Sequence, residues 1–136
     1  MVTVVIDTNV LISALVGHGE PKQLVTRLLE DHTVVSSRAM LAELADVLSR
    51  EKFREVKNSQ VNSFLTIFGS KAVVVAVKRP FQAVAEDPDD DIVLSTAYDG
   101  NAGYIVSGDT HLLKVKEFRG IRIVTVKQML ELLRST

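Results

Sequence analysis

Acidic residues recur at four places in this 136-residue chain where a carboxylate follows or flanks an apolar run. Asp7 closes V-T-V-V-I-D-T-N, Glu43 lies in S-S-R-A-M-L-A-E-L-A-D-V-L, Asp91 ends D-P-D-D-D ahead of I-V-L-S-T-A, and Asp109 follows Y-I-V-S-G. Converging carboxylates repel one another. The ordinary way to hold them close without cysteine or histidine is a hard divalent cation with oxygen ligands, Mg2+ or Mn2+. The chain has no cysteine, and His18, His32 and His111 show no metal-ligand spacing, reading instead as loop or helix-end residues. Each acid taken alone also has a structural explanation. Asp7 suits a helix cap, Asp91 a helix start, Asp109 a turn, and Glu43 a solvated helix face.

The elements around these residues decide whether they meet. Val2 to Ile6 is mostly β-branched and too short for a buried helix, so it reads as an interior strand of a parallel sheet ending at Asp7. Carboxyl ends of strands face the ligand crevice in open α/β sheets, which holds Asp7 on a rigid edge. Tyr104 to Ser107 is a second such strand, followed almost at once by Asp109 and Thr110. If the two strands are neighbours, Asp7 and Asp109 share that edge. The stripe Met40, Leu41, Leu44, Val47 and Leu48 predicts a helix from Arg38 to Arg50, and at about 100° per residue Glu43 falls on its rim. The acidic loop 86–91 leads into a helix from Ile92 to Asp99, whose first turn the helix dipole makes favourable for negative charge.

The remaining pattern alternates in the same way. Strands are expected at Thr33–Ser36, Val73–Val77 and Ile121–Val126, and helices at Val10–Leu15, Pro21–Asp31 and Ser59–Ser70. A short helix or turn follows around Leu112 to Val115, and an amphipathic helix through Met129, Leu130 and Leu133 closes the chain. No linker, repeat or low-complexity tract interrupts the alternation, which predicts a single α/β domain over residues 1–136 with a mostly parallel five-stranded sheet.

Composition narrows the function classes. With 46% hydrophobic residues the chain has material for a core, and disorder is excluded. No apolar run approaches the roughly 20 residues of a membrane span, and the N-terminus has no signal-peptide pattern, so a soluble cytoplasmic protein is expected. Sixteen basic and 17 acidic residues give a net charge of −1, not the basic excess usual in nucleic-acid binders. Four carboxylates neutralised by metal would leave a positive balance. Arg50, Lys52, Arg54 and Lys57 lie close together, interrupted by Glu51 and Glu55, in a pattern that suits a solvated helix end as well as a phosphate contact.

Taken in order, V-V-I-D-T-N-V-L-I-S-A, S-S-R-A-M-L-A-E-L-A-D-V-L, D-P-D-D-D-I-V-L-S-T-A, Y-I-V-S-G-D-T-H-L-L and I-R-I-V-T-V resemble PIN-domain proteins, closest to the VapC-like toxin components of toxin–antitoxin systems. The resemblance covers nearly the whole chain and implies a three-layer α/β/α fold. It places the family's catalytic, metal-binding quartet on Asp7, Glu43, Asp91 and Asp109. Thr8 and Ser107 fall where the family has small polar residues that orient the carboxylates, and Asn9 matches its D-T-N signature. Asp91 is preferred to the adjacent Asp90 because it stands 18 residues before Asp109, the spacing the family motif suggests. Asp87 and Asp89 read as loop and cap residues, and Asp90 as one of these or as a supporting or alternative ligand.

The function so implied is a Mg2+- or Mn2+-dependent endoribonuclease acting on single-stranded RNA, the toxin of a pair with a cognate antitoxin and a homodimer through its helices. Two rivals come from other classes. A phosphoacceptor receiver domain also gathers acids at strand ends, and Lys127 matches the lysine it needs, but it expects an acidic pair after the first strand where this chain has Asp7 alone. A non-catalytic PIN-like interaction module would not need all four acids.

Overall fold

A computed structural model describes residues 1–50, 58–78, 80–82 and 87–135. Lys52, Arg54 and Lys57 of the basic stretch lie outside these residues, as do Arg79 and Glu86. The described strands are β1 (Thr3–Ile6), β2 (Thr33–Ser37), β3 (Val73–Val75), β4 (Tyr104–Val106), β5 (Glu117–Phe118) and β6 (Ile121–Val124). The helices are α1 (Thr8–Val16), α2 (Glu20–Asp31), α3 (Arg38–Leu48), α4 (Asn58–Lys71), α5 (Pro88–Asp99), α6 (Thr110–Val115) and α7 (Val126–Arg134). None of them is long and apolar enough to cross a membrane.

One sheet carries the order β3-β2-β1-β4-β6-β5, parallel except for the last pair. β1 is central because it can bury both faces. Val4 and Ile6 pack into one apolar cluster with Leu24, Leu28 and Met129, while Val5 packs into another with Val93, Leu94, Ile105 and Leu112. Full burial of each such side chain contributes about 1.5–3 kcal/mol, which is why a four-residue strand can organise the fold. Helices α1, α2 and α7 cover the first face and α5 and α6 the second, giving the expected three layers. α3 serves both clusters, with Met40 in one and Leu44 and Leu48 in the other.

Three elements differ from the sequence expectation. The sheet has six strands, not five, because Glu117–Phe118 folds back on β6 as an antiparallel hairpin, and two residues are too few to show an alternating pattern. Its turn, Arg119–Gly120, has φ of 50° and 85°, the left-handed pair that a two-residue hairpin requires. Glycine adopts this freely and arginine does not. The Arg119 guanidinium lies 4.9 Å over Phe81, 5.4 Å over Tyr98 and 5.5 Å over Phe118, cation–π contacts that offset the strained backbone.

Helices α1 and α5 also begin earlier than the apolar periodicity suggests. Asp7 itself caps α1, accepting the Thr8 N–H at 2.8 Å. Asp87 caps α5, accepting the Asp89 N–H at 2.9 Å, with Pro88 at the first helical position where its missing N–H costs nothing. Asp90 and Asp91 are therefore inside the helix, not in a loop before it. At the far end of α5, a Cβ on Gly100 would run into Val35, so the helix can close onto β2 only with glycine there.

Candidate functional site

β1 and β4 are hydrogen-bonded neighbours, with Ile6 opposite Val106. The ladder continues past the strand ends, since the Asp7 N–H donates to Val106 O at 2.9 Å and the Ser107 N–H to Val124 O at 3.0 Å. Asp7 and Ser107 are thus fixed by backbone at one edge. The Ser107 hydroxyl donates to Asp7 Oδ2 at 2.7 Å and accepts the Asp109 N–H at 3.0 Å. One buried serine ties two of the acids together. Asp109 caps α6, its Oδ1 accepting the His111 N–H at 2.8 Å.

Glu43 arrives from α3 half-buried, as its rim position predicts, and accepts the Thr8 hydroxyl at 3.3 Å. Thr8 and Ser107 therefore do touch carboxylates. Asn9 is exposed, and its side chain enters none of the hydrogen bonds described above.

On α5 the geometry separates two adjacent acids. Asp90 is 5% exposed, and its Oδ2 is the one buried side-chain oxygen or nitrogen among the described residues with no hydrogen-bond partner. Burial pushes its carboxyl up to about 6, and the charges of Asp109, Asp87, Asp7 and Asp89 push it the same way. Asp91 is also buried, one residue on and about 100° around the helix, and its carbonyl accepts the Ser95 hydroxyl at 2.7 Å. The charges of Asp7 and Asp109 both reach Asp90.

The same field acts on the other acids. Burial raises the Asp7 carboxyl, opposed by the hydrogen bonds from Ser107 and Thr8, while the charges of Asp109 and Asp89 raise it further. Burial, then Asp89 and Asp7, raise Glu43, with the Thr8 hydroxyl pulling it down. Asp89 is exposed, yet its charge reaches Asp7, Glu43 and Asp90, a contribution that its reading as a loop residue missed.

An all-oxygen set with one orphaned buried oxygen and shared repulsion fits a hard divalent cation, which would take up both the lone pair and the excess charge. Among the described residues no three acidic or histidine side chains stand close enough together to hold an ion. A cavity of about 490 Å3 lies elsewhere. It runs between α1, α2 and α4, lined by Leu15, Val25, Leu29, Phe64 and Ile67, and includes none of these acids.

Known proteins share this fold. The chain is 31% identical over 120 residues to an uncharacterised protein of Methanocaldococcus jannaschii, an alignment covering 85% of this chain and 76% of that protein. Its fold matches a chain of VapBC2 from Rickettsia felis, solved bound to a DNA fragment from their promoter, with a TM-score of 0.64 at 20% identity, covering 90% of this chain and 98% of that one. It also matches PAE2754 from Pyrobaculum aerophilum with a TM-score of 0.68 at 15% identity, covering 99% and 91%. The PIN domain profile matches residues 3–111, from the first strand through β4 and past Asp109. A chain that carries this profile over most of its length, with its acids drawn to one edge of a parallel sheet, belongs to the PIN domain family.

Proposed function

We propose that this chain is a divalent-metal-dependent ribonuclease cutting single-stranded RNA, with Asp7, Glu43, Asp90 and Asp109 as its metal-binding acids. Asp90 takes the place that motif spacing assigns to Asp91. The observation that carries the reading is Asp90 Oδ2, a buried, unpartnered oxygen under the charges of Asp7 and Asp109. Membership of the PIN domain family, whose members are typically nucleases, supports phosphodiester hydrolysis and leaves no support for a receiver domain. The likeness to a VapBC2 chain supports a toxin role with an antitoxin partner. Self-association through helices remains part of the proposal.

The chemistry divides between the acids and the hydroxyls that hold them. Asp7 and Asp90 supply the most buried oxygens, and Glu43 and Asp109 the half-buried ones, so the first pair binds directly and the second directly or through water. Bound there, Mg2+ or Mn2+ would lower the pKa of a coordinated water and offset charge on the phosphodiester. Ser107 and the Thr8 N–H orient Asp7 and pull its carboxyl down against the larger upward push of burial. The Thr8 hydroxyl holds Glu43 toward the same edge. Without a cation, Asp90 Oδ2 keeps a proton near neutral pH more readily than an ordinary carboxylate does.

Two measurements test this. Calorimetric titration of the parent with Mn2+ should show binding that disappears in Asp7→Asn, because the amide keeps the shape and loses the charge. Single-turnover cleavage of single-stranded RNA should be lost in Asp90→Asn and largely kept in Asp91→Asn. Loss in Asp91→Asn alone returns the site to the register of the motif spacing, and normal cleavage by both removes α5 from the site.

A further inference from the structure

The acids of α3 and α5 stand on helices that meet at a buried pair of hydroxyls. Ser37, the N-cap of α3, is 2% exposed, Thr96 of α5 is 0% exposed, and their oxygens are 2.8 Å apart. Direction follows from proton count. Thr96 Oγ1 donates its one proton to Ile92 O at 2.8 Å, so the proton between the two hydroxyls belongs to Ser37. Ser37 Oγ in turn accepts the Met40 N–H at 3.4 Å. A chain of three hydrogen bonds thus runs from the first turn of α3 to the backbone of α5, each bond polarising the next.

The joint is placed symmetrically with respect to the acids. Glu43 follows Ser37 by six residues and Asp90 precedes Thr96 by six, about 9 Å along each helix axis. Ser37 ends β2, so the joint itself lies at the carboxyl edge of the sheet. Each helix is rigid. A rotation of about 6° at the joint would shift a carboxylate at the end of a ~9 Å arm by about 1 Å, a displacement large enough to cost on the order of 10²-fold in rate. The surroundings, Met40, Val93, Leu94 and Ala97, are apolar and accept the valine methyl at 96, which leaves the buried Ser37 hydroxyl without its acceptor.

We propose that Ser37 and Thr96 are positioning residues that fix the spacing of Glu43 and Asp90 across the site. The activity arm of this inference rests on the nuclease reading, and a distance measurement does not. Because the chain has no cysteine, spin labels at Ala45→Cys and Pro88→Cys, two exposed positions on α3 and α5, report the distance between those helices in the metal-free protein. Thr96→Val should broaden that distribution and weaken Mn2+ binding about three- to tenfold. It should also lower kcat on single-stranded RNA about ten- to a hundredfold, with KM within about twofold. Thr96→Ser, which keeps the hydroxyl, should restore all three. Ser37→Ala removes the same bond from the other side and serves if Thr96→Val does not fold.

Leu130→Ala, a core change in α7 in the other apolar cluster, is the control for general loosening. It should lower the melting temperature and leave the distance distribution and Mn2+ affinity as in the parent. An unbroadened distribution in both hydroxyl variants overturns the proposal, as does equal broadening in Leu130→Ala or failure of Thr96→Ser to rescue. If the parent cuts no RNA the nuclease reading falls, and the distance distribution still decides the role of the joint.

Discussion

The two ends of the sheet solve opposite problems. At the carboxyl edge Asp7, Asp90, Ser36, Ser37 and Ser107 are all buried, one carboxylate oxygen has no partner, and the surrounding charges share one sign. At the amino edge the cation in the turn of the hairpin, Arg119, is enclosed by Phe81, Tyr98 and Phe118, and the rings meet edge to face at 5.4 and 5.1 Å. There a strained backbone is compensated within the chain. At the carboxyl edge no described residue compensates Asp90 Oδ2, the kind of difference that separates a candidate site from a structural cluster. A buried group with an unpaired atom is a better pointer to function than a strained one whose contacts are complete.

The sharpest break between the ends should appear in paired variants. Asp90→Asn is expected to reduce RNA cleavage by at least about 100-fold while its melting temperature stays at or above that of the metal-free parent, because a buried negative charge is removed. A melting temperature well below the parent's would mean that Asp90 is structural. Next in size is the response to cation. At about 100 times its dissociation constant Mn2+ should stabilise the parent by about 2.7 kcal/mol, a rise of about 10 °C in melting temperature, and Asp7→Asn should show no such rise. A variant that still responds fully would place the ion elsewhere.

A smaller effect follows from pH. The folded carboxyl of Asp90 lies at about 6 against an ordinary 3.8, so between these values the folded chain holds a proton that the unfolded chain has lost. Its contribution to stability is therefore present at low pH and is lost as pH rises from about 4 through about 6. Urea midpoints of the metal-free parent and Asp90→Asn, compared at pH 5 and 7, should show the parent losing more on going to pH 7. Parallel midpoints would mean that the charge at Asp90 is already compensated. The smallest change is expected at the other end, where Arg119→Ala should cost about 0.5–1 kcal/mol, or a few degrees of melting temperature, and leave kcat unaltered. Loss of activity there would show that the two edges are coupled.

What the sequence discloses follows the range of the interactions. Asp7 and Asp109 can be paired on paper because each closely follows a β-branched strand, and the parallel ladder between β1 and β4 bears out that adjacency. Glu43 on the helix rim is legible from the 3.6-residue period alone. The phase of α5 is not, since it is set by the Asp87 cap and Pro88, and three successive aspartates, Asp89 to Asp91, carry no period to read. Motif spacing chose Asp91, and that Asp90 Oδ2 is left without a partner could not be read from it. The Ser37–Thr96 joint is beyond sequence reasoning for a different cause, as it links residues 59 positions apart through ordinary hydroxyls.

The strand order also has a bearing on how the protein is made. Because β4 lies against β1 in the sheet, Asp7 waits for Ser107, and the intervening segments must emerge from the ribosome before these residues can meet. A nascent chain stalled before β4 holds Asp7, Glu43 and Asp90 but neither the serine that braces the first nor Asp109. On the proposed nuclease reading, a chain arranged this way is inert beside its own message until β4, Ser107 and Asp109 have been made.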